Sequence, residues 1–262
     1  MDLRIYHHLP IMNRQKLAAI FLFCMMMFMP QCLRAQTMGG SRQEKFLDTE
    51  VHLLLGGSYV TENYMNCYSE ISNLNNSMGV AWGVGVAVKF NLSKSIGLGT
   101  ELNYLRNSGK MDLAVTTDGK PNISNVFIKN NYRSMNVPVY ASFGLNLAGS
   151  VRWNVDGGLF FDFGTSGSQS ATIYTASVNG VGQLVTNTTK QKTDYYDNDR
   201  AFLNSYHKFD MGLHLATGLT FMRKISVGIR GQIGFRNVAD SDGIVKPNSH
   251  NLRLFATAGY VF

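Results

Sequence analysis

Residues 208–222 read KFDMGLHLATGLTFM, and their side chains divide by chemistry at every second position. One set of alternate positions is almost entirely apolar: Phe209, Met211, Leu213, Leu215, Thr217, Leu219 and Phe221. The positions between them are charged, polar or small, and residues 225–236 repeat the pattern. Because successive side chains of a strand point to opposite faces, this alternation predicts half-buried β-strands.

The same reading along the chain predicts eight strands. They cover residues 51–60, 80–90, 95–104, 132–145, 151–164, 208–222, 225–236 and 252–262. Three connections are short (91–94, 146–150 and 223–224), and four are long (62–79, 105–131, 165–207 and 237–251). This order is typical of an all-β, eight-stranded antiparallel up-and-down barrel that crosses a membrane, with long extracellular loops.

Two of the long connections contain residues that favour a tight hairpin. Asp118-Gly119 and Asn179-Gly180 each lie between β-like segments, and such pairs reach the positive φ angles that two-residue turns require. A strand from Ser95 to Thr117 would be roughly 75 Å long at ~3.3 Å per residue. That exceeds the ~25 Å apolar band of an outer-membrane barrel, so we expect the sheet to project beyond the membrane.

A soluble β-sandwich or a lipocalin would also alternate, but three features favour a lipid-facing wall. The polar positions are rich in glycine, which suits the crowded interior of a small barrel. The apolar positions of the last seven strands contain a single charged residue, Arg133, at the start of the fourth strand. Aromatic residues cluster near the strand ends, as in the girdles at two membrane interfaces. One predicted rim comprises Trp82, Tyr104, Phe161, Phe163, Phe209 and Phe235; the other comprises Phe90, Phe143, Trp153, Phe221, Tyr260 and Phe262.

The first 36 residues are typical of a secretory signal peptide. Arg14 and Lys16 precede the apolar run 17–29, which is too short to remain as a transmembrane helix, and a cleavage site is expected near Ala35. Met12 is the expected true start. Cys32 leaves open a lipoprotein alternative, with a poorly matching context. Residues 37–49 are then a short periplasmic segment, and residues 50–262 are the barrel.

Composition excludes several classes of protein. Only Cys67 follows the expected cleavage site, so no intramolecular disulfide framework is possible in the processed chain. The formal net charge of +7 is spread along the sequence without a basic stripe or a nucleic-acid-binding module, and we expect no nucleic-acid partner. After the signal peptide, no apolar run reaches the ~20 residues of a transmembrane helix.

Three short motifs resemble the PorT-like outer-membrane β-barrels of Bacteroidota. They are NVPVY at 136–140, FDMGL at 209–213 and the aromatic close GYVF at 259–262. The resemblance covers roughly residues 50–262 and implies an outer-membrane barrel in the Gram-negative cell envelope. It only weakly indicates a role, because this family is functionally mixed. Pro138 cannot donate to a ladder hydrogen bond, so we expect a local bulge there.

The polar positions place many charged or titratable side chains inside the predicted barrel, where burial requires paired partners. They are Lys89, Glu101, Arg152, Asp156, Asp162, Asp210, His214, Arg230, Arg236 and Arg253. The preferred interpretation is a structural salt-bridge plug; the alternative is a narrow ion or proton path. Asp210 and His214 share this face, but no hydrolase motif accompanies them, and we expect no catalytic residues.

The sequence also predicts no cofactor and no metal site. Asp194, Asp197 and Asp199 could supply calcium ligands, but they lack the glycine and distal glutamate of a dedicated loop, which favours a solvated loop. Tyr195, Tyr196 and Phe202 offer a possible contact surface.

Two functions follow from this sequence. In the first, a non-enzymatic barrel serves as a scaffold whose extracellular loops bind a partner protein or a surface glycan. In the second, the barrel is an accessory component of an outer-membrane transport, secretion or assembly complex. Expected partners are outer-membrane lipid and lipopolysaccharide, together with the barrel assembly machinery, which would read the C-terminal strand ending at Phe262. Both termini are expected in the periplasm.

Overall fold

The computed structural model describes residues 45–116, 123–148, 150–197, 205–240 and 247–262. The predicted signal peptide, Met12, Cys32 and most of the predicted periplasmic segment lie outside these residues. Strand β1 begins at Leu47, three residues before the predicted start of the barrel at residue 50.

The described chain is built almost entirely from strands. The strands are β1 Leu47–Glu62, β2 Ile71–Asn91, β3 Ile96–Thr116, β4 Ile123–Ala148, β5 Val151–Val178, β6 Leu184–Asp194, β7 Ser205–Tyr206, β8 Phe209–Phe221, β9 Ile225–Gly234, β10 Ala239–Asp240 and β11 Ser249–Val261. A short helix α1, Tyr64–Cys67, follows β1. No helix in the described residues is long and apolar enough to cross a membrane.

Eight strands close into a ring in the order β1, β2, β3, β4, β5, β8, β9 and β11, and every neighbouring pair is antiparallel. This confirms the predicted eight-stranded antiparallel barrel. One end of the ring has the three short turns and both chain ends of the barrel, and we call it the turn end. The opposite end, with the four long connections, is the loop end.

Four of the strands continue far beyond the ring at the loop end. β3 and β4 stay paired up to Thr116 opposite Ile123, and β6 adds to the outer half of β5, from Ser168 opposite Asp194 to Val178 opposite Leu184. The loop-end sheet, as we call it, consists of β6 and of those parts of β2–β5 that lie on the loop-end side of the Tyr104–Met135 pair. The predicted continuation of these strands beyond the barrel wall is therefore confirmed, and their projection beyond the membrane stays a prediction.

The turns differ in detail from the prediction. Asp118-Gly119 lies outside the described residues. The β5–β6 turn is longer than the predicted two-residue Asn-Gly turn: it covers residues 179–183, the Asn179 side chain accepts hydrogen bonds from two backbone N–H groups, and the positive φ, +81°, falls at Gly182. The predicted hairpin is thus confirmed, whereas its two-residue Asn179-Gly180 turn is wrong, because the asparagine closes a longer turn with its side chain.

The predicted bulge at Pro138 is also wrong. Thr100 lies opposite Val139 and Asn103 opposite Asn136, an equal step on both strands, so the register of β3 against β4 is unchanged across the proline. The Thr100 hydroxyl donates to the Pro138 carbonyl. A register shift occurs instead between β4 and β5, at Arg133 and Ser134.

The barrel wall confirms the predicted orientation of side chains. The apolar positions of β8 and β9 point outward, and the alternate positions point into the barrel. Glycine is required where inward side chains are crowded. A Cβ at Gly99 would meet the ring of Tyr140, and one at Gly85 would meet Asn103 and His52. The side chains of both predicted aromatic rims are exposed or partly exposed.

Candidate functional site

The interior of the ring holds a polar network that begins with a cluster near the middle of β1, β3 and β9. The Arg230 guanidinium contacts the Glu101 carboxylate directly, and Glu101 also accepts a 3.0 Å hydrogen bond from the Asn103 amide. His52 Nε2 lies 2.7 Å from Asn103 Oδ1 and 3.1 Å from Arg230 Nη1. Glu50 lies 3.8 Å from Arg230 and accepts a hydrogen bond from the Ser226 hydroxyl. The guanidinium charge is thereby matched by two carboxylates.

A second cluster lies on the same interior toward the loop end. Arg253 Nη2 donates to Asp162 Oδ2 at 2.6 Å, and Arg253 is only 1% exposed. The amides of Asn136 and Gln232 exchange hydrogen bonds of 2.9 and 3.2 Å, and Asn136 also donates to Asp162. A further amide, that of Asn251, donates to Asp210 at 2.8 Å. Each buried charge here therefore has a hydrogen-bonded partner, as burial requires.

Three stacked tyrosines cover this network at the loop end. The Tyr195 ring lies between those of Tyr132 and Tyr206, with centroid distances of 4.8 and 4.3 Å and nearly parallel planes. The Tyr206 hydroxyl donates to Glu62 Oε1 at 2.7 Å, and the Ser249 hydroxyl donates to Glu62 Oε2 at 2.8 Å. We call Tyr132, Tyr195, Tyr206 and Glu62 the tyrosine cap.

Glu62 is unusual among the residues of the tyrosine cap. Glu62 on β1 lies opposite Ser249 on β11. Ser249 is on the loop-end side of Leu252, which is the last lipid-facing residue of β11. Glu62 is therefore outside the membrane-spanning part of its strand. Burial raises the pKa of Glu62 to about 7, and the hydrogen bonds from Tyr206 and Ser249 only partly oppose this. Burial also raises the pKa of Tyr206 well above its ordinary value. The cap is thus a neutral hydrogen-bonded cover at mildly acidic pH.

In the described part of the chain, most side chains of the network and the cap lie buried in the interior of the ring. Between the two lies a cavity lined by Tyr132, Tyr195, Asp210 and Asn251, with a volume of about 10 Å³. That is space for about one water molecule. This arrangement supports the predicted structural plug, since side chains occupy the axis of the barrel from Glu50 to Tyr206.

Most of the charged side chains predicted inside the barrel do lie there. The sequence did not predict several of the side chains that contact them. Lys89 and Arg152 lie near the turn end, where Lys89 pairs with Asp48 at 3.9 Å. Arg236 was predicted inside and is instead exposed, with its guanidinium 5.6 Å from the Phe209 ring, because β9 ends at Gly234. His52, Asn103, Asn136 and Gln232 occupy inward positions of their strands, so the alternation alone could have found them.

The residues considered for chemistry do not form a common site in the described chain. Asp210 bonds to Asn251 and to the Met211 N–H, whereas His214 lies 3.4 Å from the Gln232 amide and beside the Tyr140 ring. The described residues contain no group of three or more His, Cys, Asp or Glu side chains placed to hold a metal. Asp199 and Phe202 lie outside the described residues.

The hypothesis that Tyr195 belongs to an exposed contact surface is wrong, whereas Tyr196 is partly exposed. Tyr195 is buried in the tyrosine cap, and Tyr196 packs edge-on against it at 4.9 Å. The sequence predicts a loop for the segment that follows β6. The pairing of β7 with β10 that folds this segment over the ring is only two residues long, which is too short to give an alternating pattern.

The outward face of the loop-end sheet differs chemically from the wall below it. Below Tyr104, β3 points Leu98 and Leu102 outward; beyond it, the outward side chains are Arg106, Ser108, Lys110 and Asp112. The inward face changes in the opposite sense, and it buries an apolar cluster of Tyr64, Ile71, Met111, Leu113, Val126, Ile128 and Ala171. The loop-end sheet is therefore built for water outside and an apolar core inside.

Comparison with protein families agrees with this architecture. Residues 35–240 match the family described as "Outer membrane protein beta-barrel domain". Similar solved structures include Ail, the attachment invasion locus protein of Yersinia pestis, at 11% identity and a TM-score of 0.36, covering 82% of this chain and 99% of that one. Neisserial surface protein A is 7% identical with a TM-score of 0.34, covering 82% and 96%. The protease OmpT from Escherichia coli is 12% identical with a TM-score of 0.31, covering 87% and 100%. No curated protein matches the chain.

Proposed function

This chain belongs to the outer membrane protein β-barrel domain family, and from that premise we propose that it is a non-enzymatic scaffold of the outer membrane. Its loop-end sheet would stand outside the cell and bind a partner protein or a surface glycan. The turn end and both termini would face the periplasm. The observation that carries this proposal is the contrast between buried, paired side chains inside the ring and strands that continue far beyond it.

A scaffold role requires that the barrel itself conducts nothing. An eight-stranded barrel has an interior just wide enough for side chains, and here the Arg230–Glu101 and Arg253–Asp162 pairs occupy it. We expect purified protein in planar bilayers to give no steady conductance. Stable channel openings at neutral pH would favour the ion-path interpretation instead.

The topology can be tested on whole cells. In a Cys67→Ser background, Asn179→Cys in the β5–β6 turn should react with an impermeant thiol reagent, and Ser93→Cys in the β2–β3 turn should not. Equal labelling at both positions would contradict the proposed orientation. Labelling at Ser93 alone would reverse it.

The binding role can be tested with a photo-crosslinking amino acid in intact cells. Val181, at the tip of the β5–β6 hairpin, is 85% exposed and is the test position; Leu92, 60% exposed in the β2–β3 turn, is the matched control. We expect an adduct with a protein or glycan from position 181. An adduct from position 92 only would contradict an extracellular binding role.

The second candidate is an accessory role in an outer-membrane transport, secretion or assembly complex. The turn end favours it, because this end exposes large apolar side chains: Phe46, Leu92, Leu147 and Met222. Such side chains can mark an interaction site. The resemblance of residues 136–140 and 209–213 to the PorT-like barrels of Bacteroidota points the same way. Co-purification in mild detergent of a partner lost in Leu92→Ser and Met222→Ser, but kept in the matched loop-end change Val181→Ser, would support it.

We also propose that the barrel assembly machinery recognises β11. Its outward positions are Leu252, Leu254, Ala256, Ala258, Tyr260 and Phe262, and strand addition at a sheet edge is a known way to recognise such a segment. Phe262→Ala should accumulate as uninserted periplasmic protein in cells, yet refold almost normally in detergent. Normal insertion in cells would leave Phe262 as an interfacial anchor only.

A further inference from the structure

Two pairs of cations face each other on the outward side of β3 and β4. Tyr104 lies opposite Met135 at the end of the lipid-facing wall, and the next outward pair is Arg106 opposite Arg133. Two outward positions further along, Lys110 lies opposite Lys129. All four cationic side chains are exposed. The basic face, as we call these four residues, is therefore continuous with the lipid-facing surface below it.

Like charges directly opposite each other destabilise an antiparallel pair. In the described residues, none of the four side chains forms an ion pair, and the acidic residue nearest in register, Asp112, lies opposite Phe127. Protection of a sheet edge explains lysines on edge strands, but β3 and β4 are paired on both sides. The two arginines, Arg106 and Arg133, thus face each other without an acidic partner in the described residues.

The height of the two arginines of the basic face matches the lipid headgroups. Successive outward positions are about 6.6 Å apart along a strand at ~3.3 Å per residue. With a strand tilt of ~45°, Arg106 and Arg133 lie roughly 5 Å beyond the last lipid-facing pair. The headgroup layer adds ~5–7 Å to each side of the hydrocarbon core. By the same reasoning, Lys110 and Lys129 lie roughly 14 Å beyond the hydrocarbon.

We propose that the basic face binds the phosphate groups of lipopolysaccharide in the outer leaflet. A lipid whose acyl chains pack on Leu98 and Leu102 brings its headgroup to Arg106 and Arg133, because the outward face is unbroken between them. The guanidinium groups of the two arginines suit bidentate contacts with phosphate. Lys110 and Lys129 then meet anionic groups on the inner sugars. This site goes beyond the proposed scaffold role and requires only that the loop end faces outward.

The test compares two double variants with the same loss of charge. Arg106→Gln/Arg133→Gln removes the lower pair of the basic face, and Arg223→Gln/Lys224→Gln removes two exposed cations at the turn end. Binding of bisphosphorylated lipid A to protein in a neutral detergent is measured by native mass spectrometry. We expect the first variant to lose affinity by about tenfold or more, and the control to stay within about twofold of wild type.

The second part of the test changes the ligand instead of the protein. Wild-type protein should bind dephosphorylated lipid A as weakly as the arginine variant binds the phosphorylated lipid, and millimolar inorganic phosphate should not compete. Equal loss in both double variants would overturn the site. Loss of heparin binding in the arginine variant with unchanged lipid A binding would also overturn it, in favour of a soluble sulfated glycan.

Thermal unfolding separates this site from a folding defect. Without lipid A, Arg106→Gln/Arg133→Gln should unfold at the same or a higher temperature than wild type, because a repulsive pair is gone. Lipid A should raise the unfolding temperature of wild type and not of the variant. An equal effect of lipid A on the unfolding temperatures of wild type and variant would contradict the lipid site. The scaffold role is tested separately, by the photo-crosslinking experiment at Val181.

Discussion

The ring and the loop-end sheet are made from the same strands, yet their two faces carry opposite chemistry. In the ring, β3 points Leu98 and Leu102 outward and Glu101 and Asn103 inward. In the loop-end sheet, the same strand points Lys110 outward and buries Met111 and Leu113. β3 stays in register with β4 between these regions, since Tyr104, Leu105 and Arg106 pair in sequence with Met135, Ser134 and Arg133. The registers of β2 with β3 and of β4 with β5 shift by one residue at this level.

This inversion shows that the surroundings, and not the strand, decide which face is apolar. In lipid, the outward side chains must be apolar and the inward ones must satisfy each other's hydrogen bonds; in water, the apolar side chains gain by turning inward. The change between Tyr104 and Arg106 therefore marks the boundary of the hydrocarbon layer on the loop-end side. The following predictions compare the two regions.

The largest effect is expected where a charge is left alone inside the ring. Arg253→Met removes the partner of buried Asp162 and should lower the free energy of unfolding by roughly 3–5 kcal/mol. The measurement is unfolding by denaturant in detergent micelles. Lys89→Met, which breaks the partly exposed pair with Asp48, should cost under about 1 kcal/mol. Arg253→Met/Asp162→Leu should recover most of the loss; no recovery would mean that packing, and not charge, sets the cost.

A charge on the outward face should distinguish the two regions by its position. Leu215→Arg, in the middle of β8, should destabilise the protein in lipid by roughly 2–4 kcal/mol. Ala216→Ser, one residue on and facing inward, should be mild. Ser77→Arg, on the outward face of the loop-end sheet, should change stability by less than about 0.5 kcal/mol. Similar costs at positions 77 and 215 would contradict the inversion.

The tyrosine cap, where the two regions meet, should make stability depend on pH. The pKa of Glu62 is raised by burial from 4.5 to about 7. The folded state therefore holds this proton more tightly, and its stability falls as pH rises from about 4.5 to 7, by up to about 3 kcal/mol. Glu62→Gln keeps a carbonyl acceptor for the Tyr206 hydroxyl and should flatten this decline. The exposed control Glu70→Gln should follow wild type; an unchanged decline in Glu62→Gln would assign it to another group.

The smallest effect is expected at the turn end, far from both regions. Arg223 has a φ of +58° in the β8–β9 turn, a conformation that glycine adopts without steric cost. Arg223→Gly should stabilise the protein by about 0.5–1 kcal/mol, seen as a higher unfolding temperature. Lys224→Gly, next in the chain and without a positive φ, should not stabilise it.

The inversion also explains which parts of the fold the sequence predicts. Wherever apolar residues alternate toward lipid, as in 208–222, the strand was predicted almost to the residue. The predicted third strand stopped at Tyr104 and the fourth began at Tyr132, because the apolar set changes face there, although β3 continues to Thr116 and β4 begins at Ile123.

The interior site was predicted in kind but not in its pairings. Alternation places Glu101, Arg230, Asp162 and Arg253 inside, but which acid meets which base depends on the strand order and shear of the closed ring. The partnership of Arg253 with Asp162 joins β11 to β5, two strands that are not neighbours in the ring. The tyrosine cap was missed for a related reason, since it joins Tyr132, Tyr195 and Tyr206 from separate segments.

The polarity inversion is tested most directly by spin labels along the outward face of β3. Single cysteines replace Leu98, Leu102, Lys110 and Ala114 in a Cys67→Ser background, and each label's collision rates with oxygen and with a water-soluble nickel chelate are measured in lipid bilayers. We expect oxygen to dominate at 98 and 102 and the nickel chelate to dominate at 110 and 114, with the change between 102 and 110. A label at 110 that behaves like the one at 102 would contradict it.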